Sequence, residues 1–260
     1  MTFGQAPRDR FVNAGRSFRN AKLIGRQSGL GLVELLIASA IGLFLLAGLT
    51  DFLGRSLTSS GRNFQDARLT QDLNVAMELI TRELRRAGYS AKASEANTPA
   101  LAAANDFTQA VGGAADGGIS LATAKCILYS YDFAPPPGVP GTEDSNERLG
   151  FRLKDGAVEA GSSVTDCSPT VTAGWQQVTD PRLTTVSGLS FEYLDADGNA
   201  TQVPFIVASN SALPNWVVCT RLIRVTLTGQ LVNTPAVSRT LTQNVRVRND
   251  WYRTGTTTCT

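Results

Sequence analysis

Residues 30–49, LGLVELLIASAIGLFLLAGL, form a run broken by one charged side chain, Glu34. A helix rises about 1.5 Å per residue, so the run is long enough to span a bilayer. Past Gly54 the apolar positions become periodic: Phe64, Leu69, Leu73, Met77, Ile80, Leu84 and Ala87. Steps of mostly three to five predict one apolar stripe suited to lying on a sheet. No proline stands between Pro7 and Pro99, so one helix over residues 30–87 is expected, roughly 85–90 Å long. Glu78 stands four residues before Arg82, and Arg82, Arg85 and Arg86 crowd the last turn, where the helix dipole favours cations. That reads as a solvated helix end rather than an anion site. Gly88 is a natural stop. Gly42, Gly48 and Gly54 lower helix propensity and mark places where the apolar half can bend or unwind on assembly.

Residues 89–118 turn to Ala, Gly, Asn and Ser, the composition of a surface loop. Strand-like runs follow: GISLAT, CILYSYD, RLGFRLKDGAVEAG, GWQQVT, LTTVSGLSFEYLDADGNATQVPFIVAS, CTRLIRVTLTGQLV and SRTLTQNVRVRN. Several alternate apolar and polar residues, as in an antiparallel sheet with one face on a core. LKDGAV and LDADGNA place Asp-Gly between such runs, a hairpin signal. FAPPPGVPGTEDSNE, residues 133–147, reads as an exposed proline-rich loop. The order of elements predicts an α+β protein: one very long N-terminal helix, its distal half on an antiparallel sheet.

Charge refines the picture. The net charge of +2 conceals an uneven distribution. Residues 1–29 carry Arg8, Arg10, Arg16, Arg19, Lys22 and Arg26 against Asp9 alone, a net of +5, and the rest of the chain is −3. Such a front end reads as the cytoplasmic flank of a membrane segment. A nucleic-acid binder would carry its positive charge on the folded surface, so none is expected as a partner. Cys126, Cys167, Cys219 and Cys259 all lie in the distal half, no two are close in sequence, and histidine is absent. These features argue against zinc and point to two disulfides in an oxidising compartment. Three connectivities are open, of which Cys126 with Cys167 and Cys219 with Cys259 is favoured.

Catalytic chemistry finds no foothold. Without histidine there is no Ser-His-Asp or Cys-His group. Asp195, Asp197, Gly198 and Asn199 resemble the start of a calcium loop, but Ile206 stands where the bidentate Glu is required. A plain turn is the better reading. Trp175, Trp216 and Trp251 read as packing residues. No enzyme, no metal and no cofactor is expected.

Glu34 remains to be explained. An acid in an apolar span costs about 2.5–3.5 kcal/mol at the helix centre and less near an end, and it calls for a partner. A cut between Gly29 and Leu30 would create an α-amine one turn before Glu34. A neighbouring chain, staggered, could then set its amine against this carboxylate where water is excluded. In this arrangement SGLGLVELLIASAIGLFLLAGL resembles the class III signal of type IV pilins and type II secretion pseudopilins. Leu30 stands where Phe is usual, and Gly31 where Thr is usual. The resemblance implies peptidase cleavage after Gly29, N-methylation of Leu30 and assembly through Glu34.

Further along, LITRELRRAGY, CILYSYD, RLGFRLKDGAVE and TLTQNVRVRND resemble a PilW-type minor pilin. More loosely they resemble the larger J-type minor pseudopilins. The implied fold is the pilin fold. The implied organisation is a cleaved leader at 1–29, a transmembrane or filament-core half-helix at 30–54, an amphipathic half at 55–88 and a β-rich head at 89–260. The resemblance implies other minor pilins, the major pilin, a prepilin peptidase and inner-membrane assembly machinery as partners. It places the chain in the inner membrane with its head in the periplasm before assembly, and in a pilus afterwards. Expected roles are priming of type IV pili, with twitching motility and surface attachment following from it. Alternatives are a J-type secretion pseudopilin, an adhesin or DNA-uptake pilin, and a bitopic sensor that keeps residues 1–29.

Overall fold

The computed structural model describes residues 31–92, 107, 119–123, 125–133, 141–212 and 215–259. The chain divides into two compact units, Met1–Ser56 and Leu57–Thr260. Among the described residues one long helix, α1 (Leu32–Arg86), is followed by twelve strands. These are β1 (Ile119–Thr123), β2 (Cys126–Ser130), β3 (Arg148–Lys154), β4 (Ala157–Ser162), β5 (Trp175–Gln177) and β6 (Thr184–Leu194). Then come β7 (Ala200–Thr201), β8 (Phe205–Asn210), β9 (Trp216–Thr220), β10 (Leu222–Leu231), β11 (Thr234–Arg246) and β12 (Trp251–Thr254). Helix first and antiparallel strands after is the α+β pilin-like order that the pattern predicts.

In the first unit α1 runs without interruption through Gly42, Gly48 and Gly54. In the second, α1 buries Leu69, Leu73, Ala76, Met77, Ile80, Thr81 and Leu84, and Ala87 follows just past its end. Phe64, expected at the head of this stripe, is instead 69% exposed. Five residues before Leu69, it sits roughly 140° away around the helix, on the opposite face. Gly88 adopts φ 75°, and its N–H donates to the Ser130 carbonyl at 2.8 Å. The left-handed turn expected of a C-terminal glycine thus also ties the helix end to β2.

Among the described residues the expected antiparallel strands are arranged in three sheets. The first is the meander β1-β2-β3-β4-β5, the second has the order β11-β10-β6-β7, and the third is β12-β9-β8. The β3–β4 hairpin turns on Asp155 and Gly156 at φ 49° and 76°, the pair of positive φ values that a tight two-residue hairpin requires. In β10 alternate residues face inward, with Ile223, Val225 and Leu227 wholly buried. Together with Ile127, Tyr129, Phe151, Val158, Leu189, Phe191 and Tyr193 they meet the helix stripe in one core. Polar contacts pin the same joint: Thr184 donates its hydroxyl to Asp72 at 2.9 Å, and Arg239 pairs with Asp66 at 3.3 Å.

β2 is buried on both faces. Its outer side, Cys126 and Leu128, packs with Val164 and Trp175 in a second cluster. Here Arg152 is buried, paired with Glu159 at 2.7 Å, donating to the carbonyls of Ser168 and Val171 and lying 4.1 Å above the Trp175 ring. The third sheet gathers Val217, Cys219, Trp251 and Cys259. Most of 89–118 and residues 134–140 of the proline-rich loop lie outside the described residues. At the end of that loop Glu147, expected to be solvated, is wholly buried. Its carboxylate accepts from the N–H groups of Phe133 and Asp144 at 3.0 and 2.8 Å. A carboxylate that satisfies two backbone donors tolerates burial that a free one does not.

Candidate functional site

The first unit presents an apolar helix whose described side chains are exposed. Leu32, Val33, Leu35, Leu36, Ile37, Ile41, Leu43, Phe44, Leu45 and Leu46 are all more than half exposed. An 18-residue window reaches a mean hydropathy of 2.4 with none of it buried. Each large apolar side chain gains about 1.5–3 kcal/mol on leaving water. A helix apolar all round therefore has a strong tendency to enter lipid or pack among other helices. Its polar atoms are prepared for such a setting: the Ser39 and Thr50 hydroxyls each donate to the carbonyl three residues earlier, both at 2.9 Å. Charge returns with the Asp51–Arg55 ion pair at 3.0 Å. Residues 32–50 between them measure roughly 28 Å, close to the hydrocarbon thickness of a bilayer.

Glu34 lies in the first turn of this helix and is exposed. The N–H groups of Glu34 and Leu35 both turn back to the Gly31 carbonyl, at 3.0 and 3.1 Å. Its carboxylate stands at the positive end of the helix dipole, which favours it. Among the described residues it has no ion-pair partner. Gly29 and Leu30, the expected cleavage and N-methylation positions, lie outside the described residues.

The four cysteines form Cys126–Cys167 and Cys219–Cys259, one of the three pairings open in the sequence. The DADGN segment is a turn closed on itself. Asp195 accepts from the Asn199 N–H at 2.8 Å and the Asp197 N–H at 3.0 Å. These bonds, the Asn199 backbone first, hold its carboxyl below the ordinary value of 3.8. Among the described residues no three His, Cys, Asp or Glu side chains are grouped to hold a metal ion.

Trp175 and Trp251 are buried, each under an arginine, and Trp216 stacks on Tyr252 with centroids 5.7 Å apart. At the C-terminal end of α1, Glu83 accepts from the Tyr131 hydroxyl at 2.5 Å and pairs with Arg82 at 3.1 Å. The pair replaces the Glu78 contact that a four-residue spacing suggests. Burial, then the bond to Glu83, push the Tyr131 hydroxyl well above its ordinary range. Sequence reasoning missed this cluster because Tyr131 and Glu83 are brought together across 48 positions.

A family model described as prepilin peptidase-dependent protein B matches residues 62–247. A protein of that name from Escherichia coli (strain K12) is 25% identical over 158 residues, which cover 60% of this chain and 72% of the relative. No solved structure matches the chain. With most of its length matched by the family model, and a helix-then-sheets order to go with it, the chain belongs to the prepilin peptidase-dependent protein B family.

Proposed function

We propose that this chain is a minor pilin that helps to prime type IV pilus assembly, and that it is not an enzyme. The observation that carries the reading is Glu34, a lone carboxylate in the first turn of an apolar helix uncovered on every face. The family match supports it independently, because residues 62–247 exclude that segment. In this reading a prepilin peptidase cuts after Gly29, and the new amine of Leu30 is methylated. The chain waits as a single-pass protein of the inner membrane with its head in the periplasm. On assembly, Glu34 meets the N-terminal amine of an adjacent subunit in the dry core of a filament, where the attraction is weakly screened and fixes the stagger. Other minor pilins, the major pilin and the inner-membrane assembly machinery are the partners, and twitching motility and surface attachment follow from the pilus. The disulfides suit the oxidising side of the membrane.

A J-type minor pseudopilin of a type II secretion system is the second reading, since it uses the same helix and the same glutamate. A deletion strain and its complement separate the two. Sheared surface pili and secreted type II substrates are quantified side by side. Lost pili with normal secretion support the pilus; retained pili with failed secretion support the pseudopilus. If neither changes, both readings fall.

A further inference from the structure

One end of the second sheet carries opposite charges on its two edges. A single rung crosses all four strands there: Arg246 pairs with Leu222, Leu222 with Leu194, and Leu194 with Ala200. On the β11 side the Arg248 N–H donates to the Arg85 carbonyl at 3.1 Å. That bond brings the end of the strand against the arginine-rich end of α1. Arg82, Arg85, Arg86, Arg246 and Arg248 are all exposed there. Glu83 serves Arg82 and Arg86, and Asp250 serves Arg246 at 3.7 Å. Arg85 and Arg248 have no acidic partner among the described residues. The edge is left with a net charge of about +3 when these five arginines are set against the two carboxylates.

On the β7 side the turn after β6 carries Asp195 and Asp197. Glu192 nearby is matched by Arg224 at 3.7 Å. The Asp195 carboxyl is held by the turn itself, the Asp197 side chain is exposed, and Arg224, shared with Glu192, donates to the Gly198 carbonyl at 2.8 Å, so these four side chains leave the turn a net charge of about −2. Strands lie about 4.8 Å apart, which puts two to three strand gaps, roughly 10–14 Å, between β11 and the turn that joins β6 to β7. That exceeds the Debye length of about 8 Å at physiological salt. The two edges therefore do not neutralise one another within one molecule, and each is available to the opposite edge of another.

We propose that the head of this chain docks on a second copy of itself, the Arg85 and Arg248 edge of one against the Asp195 and Asp197 turn of the next. The contact joins two different patches, so it is heterologous: it leaves one edge open at each end and fits a filament neighbour rather than a closed dimer. Complementary charges of this kind orient and steer partners more than they bind them, so the contact sets which flank faces which. The inference concerns the head alone and does not depend on Glu34.

Two full-length variants test it, each keeping one edge. Arg85→Glu with Arg248→Glu keeps only the acidic turn, and Asp197→Arg keeps the arginines. Each chain is made with two different tags and co-purified from detergent at low and at high salt, with both disulfides checked by intact mass. The wild-type chain is expected to capture itself at low salt and to lose that capture at high salt. Neither variant should capture its own kind, while the two variants mixed should capture each other to the wild-type extent. The proposal is overturned if the wild-type chain does not capture itself at low salt. It is equally overturned if the mixed variants fail to pair, or if every combination pairs alike regardless of salt. The last outcome would put self-association in the apolar helix and leave the assembly reading intact.

Discussion

Leu73 of α1 is seated on Gly229 of β10: a Cβ added at Gly229 would lie 2.8 Å from Leu73 Cδ2. The wholly buried leucine occupies the space that a side chain at 229 would take. Gly229→Ala is expected to cost about 1–3 kcal/mol through overpacking. Leu73→Ala should cost about 2–5 kcal/mol by leaving a cavity. The double variant should lose less than the two together, because the added methyl enters the vacated space. Denaturant titration of the three variants measures the coupling, and strict additivity would refute the contact.

Arg152 and Glu159 form an ion pair inside the second cluster. Arg152→Ala should cost about 3–5 kcal/mol, since it strands a carboxylate. Arg152→Met with Glu159→Leu should be far milder. The loop carrying Ser168 and Val171, whose carbonyls Arg152 holds, should gain hydrogen exchange in both variants.

The third sheet has little core apart from its disulfide. Cys219→Ser with Cys259→Ser removes a bridge across 40 positions and should cost about 2–4 kcal/mol. Limited proteolysis is expected to cut near β12 while β1–β6 and β10 remain protected. Uniform loss of protection would mean that the third sheet is not a separate stabilising unit.

The Asp195 turn should respond to acid. Its carboxyl lies below the ordinary 3.8 in the folded chain. The ionised form is therefore the one that the fold favours. The contribution is complete above 3.8 and is lost as pH falls through the folded value. Amide signals of Asp197 and Asn199 should shift together in that acid range and be insensitive to pH above it. In Asp195→Asn the transition should disappear.

Gly29→Leu is expected to block maturation by crowding the cleavage position, so that intact mass retains the leader. Glu34→Ala should mature normally and yet be depleted from sheared filaments. Normal incorporation of Glu34→Ala would remove its assembly role.

Local pattern made much of this molecule legible. The apolar run, the stripe from Leu69 to Ala87, the stop at Gly88 and the Asp155 turn all depend on neighbours within a few residues. Glu34 stands out for a similar reason, because a charge in an apolar run is costly. Pairing at long range was not legible. Nothing near Thr184 indicates that β6 lies against β10, and β12 is four residues with no alternation. Arg152 occupies a polar position in an alternating strand, which predicts solvent. The tryptophan and two carbonyls that bury it come from more than fifteen positions away. The charged edges at Arg248 and Asp197 exist only once the rung at Leu222 has formed.

The joint between α1 and β10 also governs timing. Leu84 leaves the ribosome long before Leu231, and at about 5–20 residues per second the interval is roughly 7–30 s. At first the stripe from Leu69 to Leu84 has no strand to cover it, and to the end it lacks β10, the strand on which Leu73 sits; neither disulfide reaches the helix. A nascent chain with a bare amphipathic helix is prone to aggregate or to lie on the membrane surface. The core therefore closes over the helix only when its tenth strand arrives.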